Sequence, residues 1–393
     1  MASDYTGQET LEDNVRVTRS KSAASVSDMG SGQSKVLSAG VSEDEAIRFV
    51  PQNTPSILEI KRQLPAHCFQ PTLAQSFYYV LKDLVIMAVL YLGMIFMDLQ
   101  FPLATYITYP VYWYLQGTMM WALFVLGHDC GHGSFSHSTL INDITGNLLH
   151  SLILVPYYPW KVSHRHHHKN TGNIDKDEIF YPVREKDYAA DGKKFLPLFG
   201  LGLSWFFYLF KGYAPRAVNH VNPYDEFFVR HASQCVISLV TIAGWVCFGL
   251  IPYAGHYGFT ALLCHYLIPI FVFASWLVVT TFLHHQDENV PWYADHKWDF
   301  VRGNLSSVDR HYGWAHSLVH NIGTHQIHHL FSKIPHYHLE EATKTFRTVY
   351  PDLVRMSNEP IMPAFFKMFY IFDQQQWIKN DAEFHVYSSK KSR

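Results

Sequence analysis

Apolar residues fall along this chain in long blocks, at neither the helical nor the strand period of an ordinary globular domain. From His231 through Gln286 there is no Asp, Glu, Lys or Arg, and between Asp83 and Asp129 the single charge is Asp98. A bilayer core takes about 20 apolar residues per helix, so each block holds two spans and a turn. The pattern predicts spans over 77–97, 103–126, 233–251 and 259–283, with turns at 98–102 and at Pro252-Tyr253-Ala254-Gly255. Two shorter apolar segments, 148–160 and 195–210, are expected to lie on the membrane face, since inserting just one would invert everything after it.

Charge orients the frame. Neither turn carries Lys or Arg, whereas Lys61, Arg62, Lys82, Lys161, Arg165 and Lys169 flank the other span ends. Positive charge marks the cytosolic side, so both termini and the large central loop are expected there. Residues 1–50 are rich in Ser, Gly and acid and poor in large apolar side chains, which predicts a disordered tail. The start lacks the apolar core of a signal peptide and the arginines of a transit peptide, so plastid or mitochondrial import is not expected. Residues 51–380 are expected to form one membrane domain. The tail 381–393 ends in Lys390-Lys391-Ser392-Arg393, a match to the dilysine signal of endoplasmic reticulum membrane proteins.

Composition changes the picture in one respect, histidine. Hydrophobic residues make up 48% of the chain and charged residues 16%, with a formal charge of −2 and no basic tract, so nothing suggests nucleic-acid binding. Five scattered cysteines suggest no disulfide framework. Histidine, however, occupies 25 of 393 positions, many in three clusters. His128 and His132 stand at i and i+4, one helix face apart. His164, His167 and His168 repeat the spacing His-x-x-His-His, and so do His325, His328 and His329. At this histidine frequency about 0.1 chance copies of that triplet are expected per chain, so two copies indicate design.

The predicted topology sets all eight imidazoles on one side of the membrane. His285, emerging from the fourth span, is a ninth candidate ligand and His320 a tenth. His166, His284, His311, His336 and His338 are read as non-ligands. Imidazole suits Zn, Cu, Fe and Ni, and eight or more nitrogen ligands call for two ions. Asp129 stands where a zinc peptidase of the His-Glu-x-x-His type has its general base, which argues against that class. Asp129, Asp175, Asp177, Glu178 and Asp287 are candidates for orienting the imidazoles. A histidine-rich metal transporter is the alternative from another class, but transporters place polar ligands near mid-membrane, and these spans have almost none.

These residues resemble the membrane fatty acyl desaturases with three histidine boxes, over about 64–372. Gly127-His128-Asp129-Cys130-Gly131-His132-Gly133 is similar to the first box of the methyl-end, omega-3 branch. His164-Arg165-His166-His167-His168 and His325-Gln326-Ile327-His328-His329 are similar to the second and third, and Ile334-Pro335-His336-Tyr337-His338-Leu339 also fits that branch. His311 and Val319 depart from the pattern at its periphery. The resemblance implies an all-α integral membrane protein, four transmembrane helices in two hairpins with a cytosolic helical cap carrying a di-iron site. It implies eight catalytic box histidines, O2 as co-substrate, and an acyl substrate on coenzyme A or phospholipid. With no haem-binding His-Pro-Gly-Gly motif for a fused domain, electrons would come from NADH through a separate cytochrome b5 and its reductase. The expected reaction is omega-3 desaturation at the endoplasmic reticulum; omega-6 (delta-12) desaturation, hydroxylation or conjugation on the same fold are alternatives that the ligand set does not separate.

Overall fold

A computed structural model describes residues 43–188 and 200–389. The expected N-terminal tail, apart from its last residues, and the dilysine lie outside them. The described chain is mostly helical. After a short helix, Ile57–Gln63, with a capping box in which the Glu59 backbone N–H donates to Ser56 Oγ and the Ser56 N–H to the Glu59 carboxylate, come the long helices α1 (Leu73–Gln100) and α2 (Thr105–His132). Then follow α3 (Thr139–Ser151), α4 (Tyr157–Asn170) and α5 (Gly200–Lys211). A second pair of long helices, α6 (Val229–Tyr257) and α7 (Phe259–His285), precedes a mixed region. That region contains α8 (His325–Leu330), α9 (His336–Val349) and α10 (Ile361–Gln374).

Among the described residues three helices, α1, α6 and α7, are long and apolar enough to cross a membrane. Each has 27 to 29 residues, about 40 Å at 1.5 Å per residue, against a hydrocarbon core of about 30 Å. Side chains such as Leu81, Val85, Val89, Leu92 and Phe96 on α1, and Val236, Ile237, Val240 and Phe248 on α6, stay exposed. Contiguous apolar surface of this kind on a water-soluble protein would be an aggregation hazard; in lipid it is the expected exterior. The helix read as a further span forms as α2 with 28 residues but is less apolar than the other three. It is the central helix: every residue from Gln116 through Gly131 is buried. One buried polar side chain there is satisfied by a neighbouring helix, Trp276 Nε1 donating to Thr118 Oγ1 at 3.0 Å.

The second turn differs from the prediction. Helix α6 runs through Pro252 to Tyr257, and the chain reverses at Gly258, whose φ of +85° suits glycine alone. A π-turn over Val246–Leu250 ends two residues before Pro252, the local distortion with which the helix accommodates the proline. Near the first turn the lone charge Asp98 accepts from Tyr109 Oη at 2.8 Å and from His265 Nε2 at 3.0 Å, tying three long helices together.

The segment 148–160 packs largely inward, although Leu148 stays exposed. It is split between α3 and α4, and Leu149, Ile153, Val155, Tyr157 and Trp160 join Phe124, Trp121 and Trp205 in the main core. Its apolar character serves packing against α2. The described part of 195–210, helix α5, buries Trp205, Tyr208 and Leu209 in that core and leaves Leu203, Phe207 and Phe210 exposed on its other side. Beyond α7, two small sheets brace the last third of the chain. Pro291–Tyr293 pairs antiparallel with Phe384–Val386, and Asp309–Arg310 pairs parallel with Met356–Ser357.

Candidate metal centre

Helix α2 ends at Gly133, whose left-handed φ of +69° closes the last turn by donating its N–H to the Asp129 and Cys130 carbonyls. That turn carries His128 and His132. Helix α4 starts directly after Pro156 and brings in His164, His167 and His168; α7 delivers His285 in its last turn; the one-and-a-half turns of α8 supply His325, His328 and His329. These four segments meet at one end of the bundle.

The imidazoles meet in two groups. In the first, His128, His132, His164, His168 and His328 each offer a ring nitrogen within 4.8 Å of the others. Nε2 atoms face one another at 3.2 Å for His128 and His132 and at 3.1 Å for His164 and His168. In the second, His167, His285 and His329 do the same, and His325 stands between two of them, its Nε2 3.2 Å from His285 Nε2 and 2.9 Å from His329 Nε2. The groups abut where the His168 and His329 rings stack at 4.0 Å between centroids. Thus the eight box histidines and His285 all converge.

Several hydrogen bonds fix which nitrogen points inward. Nδ1 of His167 lies 2.9 Å from Asp177 Oδ1. Nδ1 of His329 lies 3.2 Å from Asn304 Oδ1 and 3.1 Å from Thr171 Oγ1. Such partners hold the opposite nitrogen toward a metal with its lone pair free. Burial, reinforced by the neighbouring rings, drives His164, His168, His325, His328 and His329 well below the usual imidazole range, so they are held neutral, the form in which imidazole can bind a metal. His167 is the exception: burial lowers it, but the Asp177 carboxylate outweighs that and leaves it raised. Buried nitrogens turned toward nitrogens cannot all be satisfied by protons, and His328 Nε2 has no hydrogen-bond partner at all. A pair of cations would satisfy them, so the residues fit a two-metal centre.

His320, the tenth candidate, is not brought into either group. Its Nε2 contacts Asp83 Oδ2 at 2.6 Å and its ring lies against His336. The acid that captures it comes from α1, about 240 residues away in sequence, which no local pattern reveals. His166 turns outward to Glu178 as its position in the triplet predicts. His284 stacks on His325 at 3.7 Å and bonds Tyr312, supporting a ligand without joining the set. Of the five acids, Asp177 reaches a ligand directly and Asp129 lies 3.7 Å from His128 Nδ1 while accepting from His336 at 2.9 Å. Glu178 serves His166, whereas Asp175 and Asp287 pair with Arg184 and Arg310.

The residues that sequence reasoning passed over are Asn304, Thr171 and Trp160, the last stacked on His164 at 4.6 Å. Asn304 is fully buried. A cavity opens beside both groups, lined by His128, His164, His167, His285 and His325 and by apolar side chains such as Trp121, Phe124, Trp205, Leu277 and Val278, with Ser163, Glu178 and Thr281 among the polar ones. A largely apolar cavity bordered by two histidine groups suits a hydrocarbon.

Residues 105–358 match the family described as fatty acid desaturase. The chain belongs to the fatty acid desaturase family. Similar proteins include an sn-1 acyl-lipid omega-3 desaturase (ferredoxin) of Synechocystis, 40% identical over 80% of this chain and 87% of its own length. The omega-3 fatty acid desaturase, endoplasmic reticulum, of Nicotiana tabacum is 40% identical over 82% of this chain and 86% of its own. An acyl-lipid omega-3 desaturase (cytochrome b5), endoplasmic reticulum, of Arabidopsis thaliana is 35% identical over 88% and 93%. The desaturase is therefore an oxidoreductase, and its three histidine boxes are the segments that converge in the structure.

Proposed function

We propose that this desaturase introduces a cis double bond three carbons from the methyl end of an omega-6 polyunsaturated acyl chain, in the endoplasmic reticulum membrane, using two iron ions. The observation that carries the reading is the convergence of nine histidines in two adjacent groups along the wall of an apolar cavity. His128, His132, His164, His168 and His328 would hold one ion, and His167, His285, His325 and His329 the other. When bound, the iron pair supplies an oxidant able to break an unactivated C–H bond, which no side chain can do. Two hydrogens leave neighbouring methylenes, and with O2, two electrons and two protons the products are an alkene and two waters.

The chain's own residues supply position. Trp121, Phe124, Trp205 and Leu277 exclude water and hold the hydrocarbon, so the depth to which it enters selects the bond. Asp177, Asn304 and Thr171 hold His167 and His329 in the ligating orientation. The helix α2 is taken as a fourth span shielded by its neighbours, with both termini and the metal centre cytosolic, where cytochrome b5 and its NADH reductase can deliver electrons. The Arabidopsis relative named for cytochrome b5 supports that donor. Yeast expressing the protein and fed linoleate is expected to accumulate the product with one further double bond at the omega-3 position, read by gas chromatography. Absence of that product, with the protein present in microsomes, overturns the regiochemistry; unchanged activity in His128→Ala or His167→Ala overturns the metal assignment.

A further inference from the structure

A second set of metal-ligating side chains lies away from the histidine centre. His67 and Cys68 sit on the 3-10 turn Ala66–Phe69 that leads into α1, and His338 and Glu341 stand one turn apart on one face of α9. Each offers one ligand atom, and all four atoms fall within 4.8 Å of one another. His67 Nε2 donates to Glu341 Oε2 at 2.8 Å, Cys68 Sγ is 3.8 Å from the same nitrogen, and the His67 and His338 rings meet edge to face at 5.3 Å. Zinc bonds of about 2.0–2.3 Å in a tetrahedron separate the ligand atoms by about 3.3–3.8 Å. The observed separations bracket that range, so small side-chain rotations complete the geometry.

We propose that His67, Cys68, His338 and Glu341 form a structural zinc site, distinct from the iron centre and resting on none of the reasoning about substrate. Four protein ligands close the coordination sphere, which marks a structural site. One thiolate among two imidazoles and a carboxylate selects zinc over magnesium or calcium. A surface ion pair between His67 and Glu341 accounts for two of the residues, but exposed pairs of that kind contribute ~0–1 kcal/mol; Cys68 is buried in the apolar cluster of Ile60 and Leu64 and still places its sulfur 3.8 Å from His67 Nε2. Burial, with the Glu341 carboxylate adding to it, pushes the Cys68 thiol up to about 11; a dication at this position reverses that and ionises the sulfur.

The ion would fasten the entry of α1 to the start of α9. Tyr337 already bridges the same joint, its Oη accepting from the Thr72 N–H at 2.8 Å. One residue earlier, the His336 backbone N–H and ring donate to Asp129, next to the ligand His128. The zinc would thus anchor the helix that braces the first histidine box.

The test uses the purified full-length protein. Elemental analysis should find about one zinc per chain in addition to iron, retained through dialysis. Cobalt(II) added to zinc-depleted protein should give the intense visible absorption of a tetrahedral site and a thiolate-to-cobalt charge-transfer band, both removed by competing zinc. The iron centre has no thiolate and cannot produce that band. Cys68→Ser should abolish the band and His338→Ala should lower zinc retention, while Cys247→Ser leaves both unchanged. The wild-type measurements stand without the variants. Failure to retain zinc or cobalt after supply in excess, cobalt binding without the charge-transfer band, or a band that survives Cys68→Ser would each overturn the proposal.

Discussion

Among single residues Asp177 bears most directly on the metal centre. Fully buried, it accepts from His167 Nδ1 and thereby aims Nε2 at His285. Removal of such an orienting partner typically weakens metal affinity about 10–100-fold. Asp177→Ala is therefore expected to lower iron affinity by that order and Asp177→Asn, which keeps an acceptor, by less; competition with a ferrous chelator measures both. The ligand spacing was legible in the sequence because i, i+3 and i+4 share a helix face whatever the tertiary fold. The orienting groups were not: Asn304 reaches His329 from 25 residues away and Asp83 draws off His320 from another helix. A local pattern reports helical neighbours, whereas those partners are set by how helices dock.

Elements show the same division. Charge-free blocks revealed the long helices, because burial in lipid leaves a compositional mark over tens of residues. They did not distinguish lipid from protein surroundings for 148–160, since both favour the same side chains, and they set the second turn at a proline that the helix passes through. The close approach of α2 and α3 is a further property invisible in composition. A Cβ added at Gly127 would stand 2.2 Å from the His150 ring, which itself donates Nε2–H to the Phe124 carbonyl at 3.1 Å. Gly127→Ala must push the two helices apart or swing His150 out of the core. Overpacking of this kind costs ~1–3 kcal/mol, so a lowered Tm is expected, together with reduced iron content because His128 is the next residue.

The whole molecule carries a pH dependence that follows from its interior. Burial pushes His150 down to about 3, His220 to about 4 and His385 to about 3, against an ordinary value of 6.5. As pH falls through 6.5 the unfolded chain takes up protons that the folded chain refuses, so stability is lost from about pH 6.5 down to about 4 and 3, and is fully present above it. Each histidine steepens the loss by up to ~1.4 kcal/mol per pH unit. Melting of the detergent-solubilised protein should move to lower temperature across that window; a melting point flat from pH 7 to pH 4.5 would show that these side chains are not held neutral.

Order of synthesis adds a constraint. His328 belongs to the first group of histidines and His325 and His329 to the second, so neither can be completed until the short helix α8 has left the ribosome and docked. Five of the nine histidines emerge by residue 168, but the proposed iron pair could not be held in either position before the last third of the chain exists. On the proposed ligand set, metal insertion would be a late event in biogenesis, and a truncation ahead of His325 would yield a protein unable to complete either histidine group.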